Sequence, residues 1–193
     1  GVVVSNGVIL VGHANALGAG DLTFAGGYVH VLVNDYTVTN RVRAPYPFLI
    51  GTSSLGTALK TLTLAGPVEL SGNTRVFTYF LSYSPNTHRH LAISGPISDG
   101  AEFYGLRKTG YSGEATLTLS GTNTFDGGIV MDSGVTRLTG DNTGVIGGIV
   151  NNYGTLTGVA RSTGTGSPFG SNTVTLNGPG AKLQLDGVSG VND

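Results

Sequence analysis

Short phrases that alternate apolar and polar residues run along the whole chain. They read Leu22-Thr23-Phe24-Ala25-Gly26, Leu62-Thr63-Leu64-Ala65-Gly66, Leu91-Ala92-Ile93-Ser94-Gly95 and Leu117-Thr118-Leu119-Ser120-Gly121, then Val174-Thr175-Leu176-Asn177-Gly178 and Leu183-Gln184-Leu185-Asp186-Gly187. Positions i and i+2 are apolar and i+1 is usually Thr. A period of two predicts a strand with one buried and one solvated face. The Gly that closes each phrase, as at Gly26, Gly121 and Gly178, permits positive φ, so the chain can turn sharply there. No eleven-residue window carries a helical stripe, and the good helix formers Glu, Lys, Gln and Arg are scarce. Asn, Gly, Ser, Thr and Pro punctuate the chain every few residues. The pattern predicts an all-β chain.

Two stretches are written twice. Gly1–Val11 reads against Gly128–Leu138, an offset of 127, and Leu17–Gly26 against Phe169–Gly178, an offset of 152. The offsets differ by 25, about the length of one solenoid coil. The second copy is therefore expected to hold one coil more than the first. The phrases at Leu22, Leu62, Leu91 and Leu117 recur after 40, 29 and 26 residues, and Leu138, Leu156 and Val174 stand 18 apart. Spacings this short suit one coil better than a hairpin plus return, although Gly26-Gly27 and Gly147-Gly148 are possible hairpin turns of a sandwich. A single coil buries too little apolar surface to offset the entropy of ordering it, so coils must stack. About nine or ten coils are expected in a single domain over residues 1–193. Residues 34–90 fit the repeat least well. Arg41, Arg43, Pro45, Pro47 and the cluster Phe77, Tyr79, Phe80, Tyr83 predict longer loops or a lateral excursion there.

Composition narrows the picture. Of 193 residues 33 are Gly, without a Gly-X-Y period, which excludes collagen. With 39% hydrophobic and only 11% charged residues the chain is not simply disordered. A net charge of −1, with no run of five like charges, gives nothing to attract nucleic acid or an anionic membrane. The longest apolar runs are four residues, as at Val8–Val11, too short to insert this segment in a membrane. The absence of Cys excludes disulfides, a thiolate nucleophile and a Cys-ligated metal. It is also common in surface proteins that cross an envelope unfolded. The chain starts at Gly1 and its one Met is Met131, which suggests a processed or excised piece.

Leu106-Arg107-Lys108-Thr109-Gly110, followed by Ala115-Thr116-Leu117-Thr118-Leu119-Ser120-Gly121-Thr122-Asn123-Thr124-Phe125-Asp126-Gly127-Gly128, resembles the autotransporter-associated β-strand repeat. The likeness covers residues 91–140 closely, 1–33 and 167–187 well, and 34–90 poorly. Thr136 stands where that family prefers Leu, and Tyr111 and Glu114 enlarge its usual Gly-Ala-Gly turn. The resemblance implies a right-handed parallel β-helix, exported and displayed at a bacterial cell surface, and a scaffold rather than an enzyme. Within it Asn123 suits a ladder to the Asn of the next coil, Phe125 suits stacking on its neighbours, and Gly127-Gly128 suits a corner.

Candidate chemistry is sparse. His88-Arg89-His90 would place two imidazoles on one side of a strand, but no carboxylate lies within eight residues and Arg89 repels a cation, so an exposed loop is the expectation. Polysaccharide lyases and hydrolases on β-helices need paired carboxylates or acidic calcium ligands. The acids here are mostly single and in turns; Asp99 with Glu102, and Asp126 with Asp132, come closest to pairs. Gly164–Gly170 is no phosphate loop, since a strand and not a helix follows it. Tyr79, Tyr83, Tyr104, Tyr111 and Tyr153 could make a glycan-stacking strip, with Tyr79 and Tyr83 the first candidates. The expected function is a non-catalytic extracellular scaffold, an adhesin-like stalk or a fibre subunit, with no cofactor or metal. Its partners would be further copies joined head to tail, other surface proteins, or glycans. A β-helical lyase or hydrolase and a glycan-binding spike are the alternatives.

Overall fold

The alternating phrases form short strands, each with one face inward. The computed structural model describes residues 1–31, 34–45, 48–52, 60–71, 75–79, 89–110, 115–159 and 166–187. These residues hold twenty strands and no helix, in three sheets whose pairings are all parallel. The five-strand sheet contains β1 (Val2–Val4), β3 (Leu22–Phe24), β6 (Val42–Ala44), β9 (Val68–Leu70) and β12 (Ile97–Ser98). The eight-strand sheet contains β2 (Val8–Val11), β4 (Tyr28–Val31), β7 (Phe48–Thr52), β10 (Arg75–Tyr79), β13 (Leu106–Gly110), β15 (Ile129–Met131), β17 (Ile149–Asn151) and β19 (Val174–Leu176). The seven-strand sheet contains β5 (Tyr36–Val38), β8 (Lys60–Leu64), β11 (Arg89–Ile93), β14 (Ala115–Leu119), β16 (Val135–Leu138), β18 (Gly154–Val159) and β20 (Ala181–Asp186).

From β3 to β14 the chain visits the five-, eight- and seven-strand sheets in strict rotation. Parallel neighbours cannot be joined by a tight hairpin. Here the strands on the other two sheets supply the crossover that a helix provides elsewhere. Beyond β12 the five-strand face continues as the single bridges Ser98–Thr124 and Thr122–Asp141. Inward residues of all three sheets, such as Leu22, Leu106 and Leu117, share one apolar core with Phe24 and Phe125.

Register stacks like on like. On the seven-strand sheet one inward column runs Tyr36, Leu62, Leu91, Leu117, Thr136, Leu156, Leu183. The next runs Val38, Leu64, Ile93, Leu119, Leu138, Gly158, Leu185. Gly158 leaves a gap in its column, and the ring of Phe169 occupies the space a side chain there would need.

Several expectations need correction. The steps of 29 and 26 residues are real, since Leu62, Leu91 and Leu117 are direct neighbours; the step of 40 is not, because Leu22 lies on the five-strand sheet. The 18-residue spacing is not a structural step either. Leu156 faces Thr136, and Val174 belongs to the eight-strand sheet. The doubled stretches do differ by one strand step: Val2 pairs directly with Leu22, while Ile129 reaches Val174 through Ile149. Yet the first copy runs from the five-strand sheet and the second from the eight-strand sheet. Among the described residues the largest sheet has eight strands, and the steps between strands lengthen in the middle. Leu22 to Val42 is 20 residues, Val42 to Val68 is 26, and Val68 to Ile97 is 29. Through the irregular stretch β5–β10 keep the same rotation, and the connections 46–47, 53–59, 72–74 and 80–88 lie outside the described residues.

The closing glycines also act differently from expectation. Gly26 has φ +127°, but Gly66, Gly95, Gly121, Gly140 and Gly178 are not in the left-handed region. The first four of these stack as a corner column. A Cβ on Gly95 would collide with the carbonyl oxygen of Gly66, one on Gly121 with that of Gly95, and one on Gly140 with that of Gly121. Close backbone approach, not φ, demands glycine there.

Candidate functional site

Polar side chains turned inward mark where this fold departs from a plain apolar core. Asn123 is fully buried after the strand phrase that ends at Gly121. Its Oδ1 accepts the Ile97 N–H at 3.1 Å, and its Nδ2 donates to Asn142 Oδ1 at 2.7 Å. Asn142 Nδ2 donates onward to Pro168 O at 2.7 Å. The carboxamides therefore form a ladder between successive corners, with no left-handed backbone at either Asn. Phe125 is fully buried beside it. A Cβ on Gly127 would strike the backbone of Tyr104 and Gly105, and Gly128 turns at φ +71°. Gly178 is crowded by the carbonyl of Asn152.

Lys108 is the residue that sequence reasoning passed over. It stands two positions after Leu106 on β13, so the same alternation that buries Leu106 buries Lys108, which is 1% exposed. Its register neighbour is Met131, and the next in the column is Asn151, also buried. Lys108 Nζ donates to Ser133 O at 2.5 Å. Burial pushes the amine down to about 8 from its usual 10.5.

One acid of each near-pair, Asp99 and Asp132, is held by other groups. Asp99 is buried and accepts backbone N–H groups of Tyr104 at 3.1 Å and Asp126 at 2.9 Å, whereas Glu102 is exposed. Asp132 accepts Arg107 Nε at 2.6 Å and Asn152 Nδ2 at 2.9 Å. Partial burial acts to raise its pKa, but those two hydrogen bonds outweigh it and hold the carboxyl below the usual range. Asp21, Arg43 and Glu69 form an exposed charge chain on the five-strand sheet. Among the described residues no group of three His, Asp or Glu is placed to hold a metal.

His90 is not in a loop. It points outward on β11, level with Thr61 and Thr116, and its Nε2 lies 2.7 Å from Thr118 Oγ1. Burial, then the charge of Arg137, lowers its pKa, so the ring is neutral at pH 7. His88, Tyr83, Tyr111, Glu114 and residues 164–165 lie outside the described residues. Tyr79 ends β10 opposite Gly110. Tyr104 packs against the core in the β12–β13 connection, and Tyr153 is exposed in the β17–β18 turn with its ring beside Gly180. Of the described tyrosines, Tyr79 is on strand β10 while Tyr104 and Tyr153 are on two different connections.

No helix among the described residues is long and apolar enough to cross a membrane. No protein-family model, curated protein or solved structure matches the chain.

Proposed function

We propose that the chain is a right-handed parallel β-helix serving as a non-catalytic extracellular scaffold, a stalk or fibre segment of the autotransporter-associated repeat kind. The observation that carries this reading is the strict rotation of the chain from β3 to β14 through three parallel sheets in preserved register. Right-handed crossovers are the overwhelming rule for parallel strands, which supplies the handedness. The conspicuous polar groups support it too. Asn123, Asn142, Asp99 and Lys108 each bond to backbone or to one another, work that holds neighbouring strands together. The surface reading rests on the 91–140 motif and on a Cys-free, Thr- and Gly-rich composition.

Electron microscopy of the purified chain tests it. Rods are expected. Rods that lengthen end to end with concentration make it a fibre subunit, and rods that stay single make it a stalk. Particles built of two facing antiparallel layers would overturn the reading.

A further inference from the structure

From β8 to β18 the outer face of the seven-strand sheet repeats its threonine pairs on every second strand; beyond these the columns continue to Thr37 on β5 and to Lys182 and Gln184 on β20. Because the strands are parallel and in register, outward residues stack in two columns. One reads Thr61, His90, Thr116, Val135, Thr155, and the other Thr63, Ala92, Thr118, Arg137, Thr157. Threonine pairs therefore stand on β8, β14 and β18, with β11 and β16 between them. The two hydroxyls of a pair are about 6.7 Å apart along the strand, and successive pairs recur at about 9.6 Å across the strands. Thr61, Thr63, Thr116, Thr118 and Thr155 keep partial exposure. Thr157 is covered; its strand lies between those of Arg137 and Asp186, which pair at 3.2 Å. His90 sits between the first two threonine pairs, with its neutral ring held against Thr118.

Resting on the surface-scaffold reading, we propose that this face binds an extended, uncharged β-1,4-linked polysaccharide laid across the strands. Alternate sugars of such a ribbon are turned over, so it presents the same hydroxyls again at every second sugar. That length is close to two strand spacings. Threonine hydroxyls and a neutral imidazole each donate and accept, as sugar hydroxyls do. Threonine methyls, Ala92 and Val135 offer apolar ground between them for the C–H faces of the rings. From β8 to β18 Arg137 is the one charged residue of these two columns and Asp186 neutralises it, so this part of the face offers hydroxyls rather than charge; Lys182 stands beyond it on β20.

The test is retention of the full chain on microcrystalline cellulose and on chitin, with granular starch as the α-linked contrast. Retention on a β-1,4 polymer and not on starch is expected. Thr116→Val with Thr118→Val should lower the retained fraction at least fivefold, and so should Thr61→Val with Thr63→Val on a different strand. Valine keeps the shape, and thermal unfolding verifies that the variants fold. Thr23→Val, on the outward face of the five-strand sheet, should leave retention unchanged. Equal retention on starch, no retention at all, or an equal loss in Thr23→Val overturns the proposal. So does a chain that adsorbs to ice through the same threonines and not to polymer, which would assign the hydroxyls to ordered water. None of these failures touches the rods expected by microscopy, so scaffold and ligand stand or fall separately.

Discussion

Thr136 stands in a column of leucines, between Leu117 and Leu156. It is fully buried, and its hydroxyl has no hydrogen-bond partner among the described residues. A buried unsatisfied hydroxyl costs about 1–3 kcal/mol. Thr136→Val keeps the shape and removes the hydroxyl, so stability should rise by about 1–2 kcal/mol, read as a higher urea midpoint. Lys108 carries the opposite kind of cost, a charge within the core. Its folded amine titrates at about 8 and an unfolded lysine at 10.5, so between those values the unfolded chain holds the extra proton. Stability should therefore rise as pH climbs through that window, by about 3 kcal/mol when complete. Lys108→Met should be more stable than the parent at neutral pH and should lack the alkaline gain. Subtracting one pH profile from the other removes the contributions of all other groups.

At the scale of elements, the corner glycines and the asparagine ladder set how closely successive strands approach. Gly95→Ala would force a methyl onto the Gly66 carbonyl. Backbone cannot yield there without breaking the pairing of β8 with β11, so a loss of about 3 kcal/mol is expected. Gly12→Ala, with open space around it and no positive φ, should change stability by less than about 0.5 kcal/mol. Thermal melts of the two variants side by side make the comparison; equal effects would remove the steric account. Asn123→Ala strands the Ile97 N–H and the Asn142 carboxamide oxygen, both inside. It should cost about 2–4 kcal/mol, more than an exposed Asn6→Ala by the same measurement.

For the whole molecule, cooperativity is the property at stake. β8, β11 and β14 are paired on both sides, while β1, β2 and β5 are the outermost described strands of their sheets at one end. Hydrogen exchange should be slowest in the first group and fastest in the second. If copies join end to end, protection of β1 and β2 should increase with protein concentration while β11 stays unchanged. Exchange that is uniform along the chain would argue against a stack. The exposed ion pairs, such as Arg43 with Asp21, contribute little, so strong salt should leave the midpoint almost where it was.

What the sequence determined by itself was the inside and outside of each strand. Alternation is a local property, and it already turns Leu62, Leu64, Leu117 and Leu119 inward, with Thr63 and Thr118 outward. The same alternation turned Lys108 inward, although its bond to Ser133, 25 residues on, was not legible. Tertiary structure alone decided which sheet each phrase joins. Leu22–Phe24 and Val174–Leu176 read alike, yet one lies on the five-strand sheet and the other on the eight-strand sheet. A two-residue period distinguishes in from out and nothing more. Choice of sheet and neighbour depends on how many residues the connections contain, and on whether three faces close over one core, which no single phrase encodes.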